Sequence, residues 1–185
     1  MSEPVAPSDA WEALTPPQVA VVLGSFDGPW WIAGGNAIDL FVGAPTRDHH
    51  DVDVAVLRDH WPAVAEVLDG WDFREGEHEV WARRTPGGPW LIEFVLEERA
   101  GSEWVYRRHA EVTLPITELG LMTDQGIPYE RPEVVLLYKA KQHTLDKHEA
   151  DLAAVLPKLG IGPRCWLAGA LDLAHPGHPW IARVL

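Results

Sequence analysis

The sequence contains very little cysteine, no long apolar run and no repetitive segment. Cys165 is the only cysteine among 185 residues, which excludes an internal disulfide and is typical of a reducing, cytoplasmic compartment. No apolar run is long enough to cross a lipid bilayer. The first residues have neither a basic start nor an apolar segment. We therefore expect neither a membrane association nor a secretory signal.

Basic residues are also scarce. Lys and Arg number 15 against 28 Asp and Glu, which gives a formal net charge of −13. Nucleic-acid binding depends on basic side chains that neutralise phosphates, so this balance argues against a polynucleotide partner. An acidic surface attracts cations, and a cationic small molecule is the partner that the charge favours. Solubility alone would also explain the charge, and the sequence leaves the oligomeric state open.

Hydrophobic residues make up 46% of the chain, enough for one globular core with an additional helical unit. Strand and helix patterns are mixed up to about residue 130, and helical patterns follow. The interpretation is an α/β (α+β) domain over residues 1–130 and a helical unit over residues 131–185 that packs on it.

Two carboxylates, Asp51 and Asp53, begin a run that resembles a strand from Asp51 to Leu57. Side chains two residues apart on a strand point to the same face, so these carboxylates lie side by side. Like charges at that distance repel each other and resist leaving water. A divalent cation such as Mg²⁺ between them is the simplest compensation.

A glycine pair, Gly34 and Gly35, precedes this run and follows a short apolar strand. We predict a tight turn at the pair and a helix from Asn36 to Val42 that ends at Gly43. Glycine allows a backbone to approach a phosphate closely, and the amides at a helix N-terminus favour an anion. The glycines and the carboxylates together predict a site for a metal–nucleoside triphosphate complex.

This arrangement resembles the core motif of the nucleotidyltransferase superfamily, and in particular its aminoglycoside and lincosamide nucleotidyltransferase branch. The residues that carry the resemblance are Gly34, Gly35, Ala37, Ile38, Asp39, Gly43, Thr46, Arg47, His49, Asp51, Val52 and Asp53. The resemblance implies a mixed β-sheet flanked by helices with a C-terminal helical unit. It also implies two Mg²⁺ ions, and the transfer of AMP from ATP or another nucleoside triphosphate to a small-molecule hydroxyl, for which an aminoglycoside-like compound is a candidate.

The resemblance also implies site residues. Asp51, Asp53 and a third carboxylate would bind metal and serve catalysis. Glu93, in the middle of an apolar strand, is our choice for the third, and Glu97 on the same face is the alternative. The nucleotide-binding residues implied are Gly34, Gly35, Asn36, Arg47 and Lys147.

Each of the weaker assignments has a structural alternative. Arg47 could instead pair with Asp39 or Asp48, and Lys147 could form a helical ion pair with Asp151. Asn36 departs from the pattern, since the resistance enzymes commonly have an aromatic residue there.

Two further functions compete with the small-molecule transferase. The acceptor could be a protein side chain, as in AMPylating enzymes of toxin–antitoxin pairs. Alternatively, the chain could bind a nucleotide without turning it over. The intact carboxylates argue against the second alternative.

Overall fold

The computed structural model describes residues 10–185. Its helices are α1 Pro16–Val22, α2 Gly34–Val42, α3 Trp61–Val67, α4 Pro132–Ala140, α5 Asp146–Val155, α6 Ile161–Ala174 and α7 Ile181–Val184. Its strands are β1 Trp30–Ile32, β2 Asp53–Leu57, β3 Asp72–Glu75, β4 Glu79–Arg83, β5 Ile92–Ala100, β6 Glu103–Val105, β7 Thr113–Pro115, β8 Gly120–Met122 and β9 Pro128–Glu130. Short 3₁₀ turns cover Arg58–His60 and Ile116–Glu118.

The strands form a mixed sheet in the order β3-β4-β5-β2-β1-β9-β8. The pairs β2–β5 and β1–β9 are parallel, and the other pairs in this series are antiparallel. The end of β5 also pairs with β6, which in turn pairs with β7. The predicted mixed sheet with flanking helices is therefore confirmed.

One hydrophobic core joins the sheet to the C-terminal helices. Its fully buried members include Ile32 on β1, Val54 on β2, Phe94 on β5, Leu136 on α4 and Leu171 on α6. Helices α4 and α5 both pack against α2, the helix that follows the glycine pair. The C-terminal helices are therefore held directly over the part of the sheet where the candidate site lies.

Two local predictions need correction. Gly34 and Gly35 do not form a separate turn; they are the first two residues of α2, which ends as predicted at Gly43 with a left-handed φ of 80°. Asp51 lies before the strand, because β2 begins only at Asp53.

None of the helices described between residues 10 and 185 combines the length and the apolar character that crossing a bilayer would demand. The expectation about a secretory signal rests on residues 1–9, which lie outside the described residues.

Candidate active site

Three carboxylates converge at one end of the sheet. Asp53 begins β2 and is the direct cross-strand neighbour of Glu93 on β5. With Asp51, these residues offer carboxylate oxygens that all lie within 4.8 Å of one another. The structure thus brings together the three residues that the sequence singled out as metal ligands. Glu97 is not part of this group among the described residues.

The surroundings of this cluster disfavour its negative charge. Burial, and secondly the charge of Asp51, raises the pKa of Asp53 to about 7. Burial, followed by the charge of Asp53, raises the pKa of Glu93 to about 8. The indole Nε1 of Trp81 donates a hydrogen bond of 3.0 Å to Glu93 Oε2 and orients that carboxylate. An oxygen-only donor set that repels itself fits a hard divalent cation such as Mg²⁺.

The atoms around Gly34 and Gly35 explain why neither position carries a side chain. Gly34 has a φ of +59°, and a Cβ atom on it would lie 1.8 Å from Asp53 Oδ2. A Cβ atom on Gly35 would lie 2.5 Å from Arg47 Nη2 and from His49 Nδ1. No larger residue fits at either position without displacing the carboxylate or the loop. The amides of the first turn of α2 are thereby brought close to the carboxylate cluster.

The loop before β2 is held by Asp39. Its Oδ1 accepts hydrogen bonds from the backbone N–H of Thr46 at 2.9 Å and from the Thr46 hydroxyl at 2.6 Å. Its Oδ2 lies 2.7 Å from His49 Nε2. The Asn36 amide donates to the backbone carbonyl of Asp51 at 3.1 Å. His49 therefore orders the loop, and Asn36, predicted to bind nucleotide, fixes the backbone of a site carboxylate.

Among the described residues, Arg47 forms an ion pair with neither Asp39 nor Asp48, the two alternative partners predicted for it. Its Nε donates to Asp151 Oδ1 at 3.2 Å, and its contact with Asp48 is with the backbone carbonyl. The second ion-pair partner of Asp151 is Lys139, with Nζ 2.8 Å from Oδ2. The alternative ion pair between Lys147 and Asp151 is wrong, since the described partners of Asp151 are Arg47 and Lys139. Lys147 is exposed in the first turn of α5.

A cavity of about 320 Å³ opens beside the carboxylate cluster. Its lining residues include Gly34, Asp53, Glu79, Glu93, Glu97, Arg107, Arg108, Glu130, Tyr138, Lys139 and Lys141. Within it, Glu97 is buried and accepts hydrogen bonds from Trp104 Nε1 at 2.6 Å and from the Tyr138 hydroxyl at 2.7 Å. Glu97 is therefore a fixed part of the cavity floor.

Glu130, at the end of β9, is a cavity residue that no sequence pattern predicted. This residue is only 2% exposed, lines the cavity, and has an Oε1 atom without a hydrogen-bond partner among the described residues. Burial, and next the charges of Glu97 and Asp53, raises its pKa well above the ordinary value. A buried carboxylate oxygen without a hydrogen-bond partner beside a cavity is a position where a hydrogen-bond donor of a ligand would be stabilised.

Comparison with known proteins identifies one matching family model. The model of the aminoglycoside-2''-adenylyltransferase family matches residues 17–85, which include the glycine pair, Asp51 and Asp53 and exclude Glu93. No curated protein sequence matches the chain.

Several solved structures share the fold. A crystal structure of ANT(2'')-Ia in complex with adenylyl-2''-tobramycin superposes with a TM-score of 0.63 at 16% identity, over 84% of this chain and 94% of that one. The lincosamide antibiotic adenylyltransferase LnuA, with lincomycin bound, gives a TM-score of 0.58 at 15% identity, over 80% of this chain and 97% of that one. An antigenic nucleotidyltransferase-like protein from Paracoccidioides brasiliensis gives 0.53 at 18% identity, over 96% and 94%. The predicted fold and the resemblance to this branch are confirmed, and the two relatives with antibiotic-derived ligands are adenylyltransferases.

Proposed function

We propose that the chain is a metal-dependent nucleotidyltransferase that transfers a nucleoside monophosphate, AMP from ATP in the simplest case, to a hydroxyl of a cationic small molecule. The observation that carries the proposal is the convergence of Asp51, Asp53 and Glu93 within 4.8 Å, next to the first turn of α2. The likeness to adenylyltransferases that act on antibiotics supports the same chemistry.

Asp51, Asp53 and Glu93 would hold the metal ions, for which we propose two Mg²⁺. Bound Mg²⁺ supplies positive charge that neutralises the phosphate oxygens and the developing charge on the attacking oxygen. Binding of the metal would also keep Asp53 and Glu93 ionised at neutral pH, where their raised pKa values otherwise favour protonation. The oxygen-only ligand set and the mutual repulsion of the carboxylates are the features of this chain that fit the ions.

The chain's own groups would perform the remaining steps. The first turn of α2 would present its amides to the phosphates, since Gly34 and Gly35 leave room for a close approach. Arg47, Lys139 and Lys147 would neutralise the triphosphate tail, and the charges of all three lower the pKa of Asp53. Glu93, held by Trp81, would take the proton of the acceptor hydroxyl while the oxygen attacks the α-phosphate. The bond to the β-phosphate breaks, and pyrophosphate leaves.

The cavity favours an acceptor that carries amino groups. Beyond the metal-binding cluster its acidic lining residues are Glu79, Glu97 and Glu130, and its basic ones are Arg107, Arg108, Lys139 and Lys141. Glu79 is paired with Arg107, whereas Glu130 Oε1 has no hydrogen-bond partner among the described residues. A protonated amine beside Glu130 Oε1 would give that oxygen a hydrogen-bond donor and compensate the charge of the ionised carboxylate. An aminoglycoside-like compound has both the amines and the hydroxyl that this arrangement requires.

The test uses ATP labelled at the α-phosphate, Mg²⁺ and a panel of amine-bearing and neutral hydroxyl acceptors. We expect label transfer by the wild type and a loss of at least about 100-fold in Asp51→Asn and in Asp53→Asn, because each change removes a metal-binding charge. Asp124→Asn, an exposed carboxylate in a turn, is the matched control and should retain full activity. Unchanged transfer in both site variants would refute the assignment. Label found on a protein and on no small molecule would support the protein-modifying alternative.

A further inference from the structure

Asp151 on α5 connects two cations that come from distant parts of the chain. Its side chain is 1% exposed, and it pairs with Arg47 from the loop before β2 at 3.2 Å. It also pairs with Lys139, in the last turn of α4, at 2.8 Å. One buried carboxylate therefore determines where two long, flexible side chains place their charges.

Both cations lie next to the site where the phosphates are proposed to bind. Arg47 Nη2 is so close to Gly35 that a Cβ atom there would lie 2.5 Å from it. Lys139 lines the cavity together with Gly34 and Asp53. The side chains of Arg47 and Lys139 remain 25% and 11% exposed, whereas the carboxylate behind them is closed off from solvent. Part of each basic side chain therefore stays exposed while Asp151 holds both of them.

We propose that Asp151 is a positioning residue that holds Arg47 and Lys139 in place for the triphosphate of the bound nucleotide; this inference rests on the proposed function. One carboxylate neutralises only one of its two partners, so a net positive charge remains for the phosphates. Long basic side chains lose conformational entropy when a ligand immobilises them. If they are already held by Asp151, that cost is met during folding, and the nucleotide binds more tightly.

The experiment is a calorimetric titration of each protein with α,β-methylene ATP in the presence of Mg²⁺. Calorimetry yields the dissociation constant and the stoichiometry separately. A positioning role predicts that Asp151→Asn weakens binding about 10-fold or more while the stoichiometry stays near one. A merely structural role would lower the stoichiometry, because part of the protein is unfolded, and leave the dissociation constant of the folded part unchanged. Asp172→Asn, an exposed carboxylate on α6, is the control and should match the wild type.

A double-mutant cycle with Lys139→Gln then tests whether Asp151 acts through the cation. We expect Asp151→Asn to weaken binding less in the Lys139→Gln background than in the wild type, because one of the two held cations is already absent. Fully additive losses, or an unchanged dissociation constant in Asp151→Asn, would overturn the inference.

Two further outcomes are kept distinct. Failure of the wild type to bind the nucleotide would refute the proposed function itself. Should Asp151→Asn not fold, Asp151→Glu takes its place, since it retains the charge and displaces it by one methylene group. We then expect a dissociation constant several-fold above that of the wild type, and an unchanged value would contradict the positioning role.

Discussion

Asp53 and Glu93 are direct neighbours on two parallel strands, although 40 positions separate them in the sequence. Strand pairing alone therefore places two carboxylates side by side, and Asp51 joins them from the preceding loop. Burial raises the pKa of both residues, and the charge of Asp51 on Asp53 and of Asp53 on Glu93 raises them further. The strand pairing also distinguishes Glu93 from Glu97, which lies opposite Leu57 at the other end of the same strand pair.

The first prediction separates the two candidates for the third carboxylate. Glu93→Gln should lower kcat for labelled-nucleotide transfer about 100-fold or more, because it removes the group that we propose as metal ligand and base. It should also weaken Mn²⁺ binding, followed by electron paramagnetic resonance. Glu97→Gln retains an acceptor for Trp104 and Tyr138, so it should leave Mn²⁺ binding unchanged and kcat within about 10-fold. A larger effect on Mn²⁺ binding from Glu97→Gln than from Glu93→Gln would reverse the assignment.

The second prediction concerns Gly34. Gly34→Ala should lower the free energy of unfolding by about 1–3 kcal/mol, because the residue has a positive φ and its new Cβ atom would meet Asp53 Oδ2. Since Asp53 must move, Mn²⁺ binding should weaken as well. Urea denaturation and the Mn²⁺ titration measure the two effects.

Gly162 provides the matched control for this substitution. It lies in the first turn of α6, and a Cβ atom there would meet no heavy atom within 4 Å. Gly162→Ala should be neutral or slightly stabilising, because alanine is the better helix former. Equal losses of stability in both variants would show that the contact with Asp53 is not the cause.

The sequence was sufficient to predict the convergence of the three carboxylates because its determinants are mostly local. Asp51 and Asp53 lie two residues apart, and the glycines precede them within one supersecondary unit. Glu93 could be selected because a charged residue in an apolar strand needs a partner. Asp51, Asp53 and Glu93 lie in or next to the segments with the clearest strand pattern. The same pattern predicts the mixed sheet.

The remaining interactions depend on long-range packing that no local pattern encodes. Arg47 and Asp151 are separated by 104 positions, and they meet only because α5 packs against α2. The sequence therefore suggested nearer partners for Arg47, and these were wrong. Glu130 ends a strand of three residues, which is too short to produce a recognisable alternation, so its burial could not be inferred.

The last prediction concerns the buried carboxyl group of Glu130, which faces Glu97, Asp53 and Arg107. Because its pKa is raised in the folded chain, the folded state binds more protons than the unfolded state above the ordinary glutamate pKa of about 4.3. The contribution of Glu130 to the free energy of unfolding therefore becomes less favourable as the pH rises from that value towards the raised pKa. Glu130→Gln removes this titration, so its stability relative to the wild type should increase with pH.

We expect a gain of about 1–3 kcal/mol for Glu130→Gln at pH 8 and a smaller one at pH 5, measured by urea denaturation of the metal-free protein. Glu118→Gln, at an exposed position, should change stability by less than about 0.5 kcal/mol at both pH values.

Under the proposed function, the same Glu130→Gln variant should raise the KM of an amine-bearing acceptor and leave nucleotide affinity unchanged. A stabilised variant with an unchanged acceptor KM would show that the Glu130 carboxylate does not contact the acceptor. If the difference in stability between Glu130→Gln and the wild type did not change with pH, it would contradict the raised pKa of Glu130 in the folded chain.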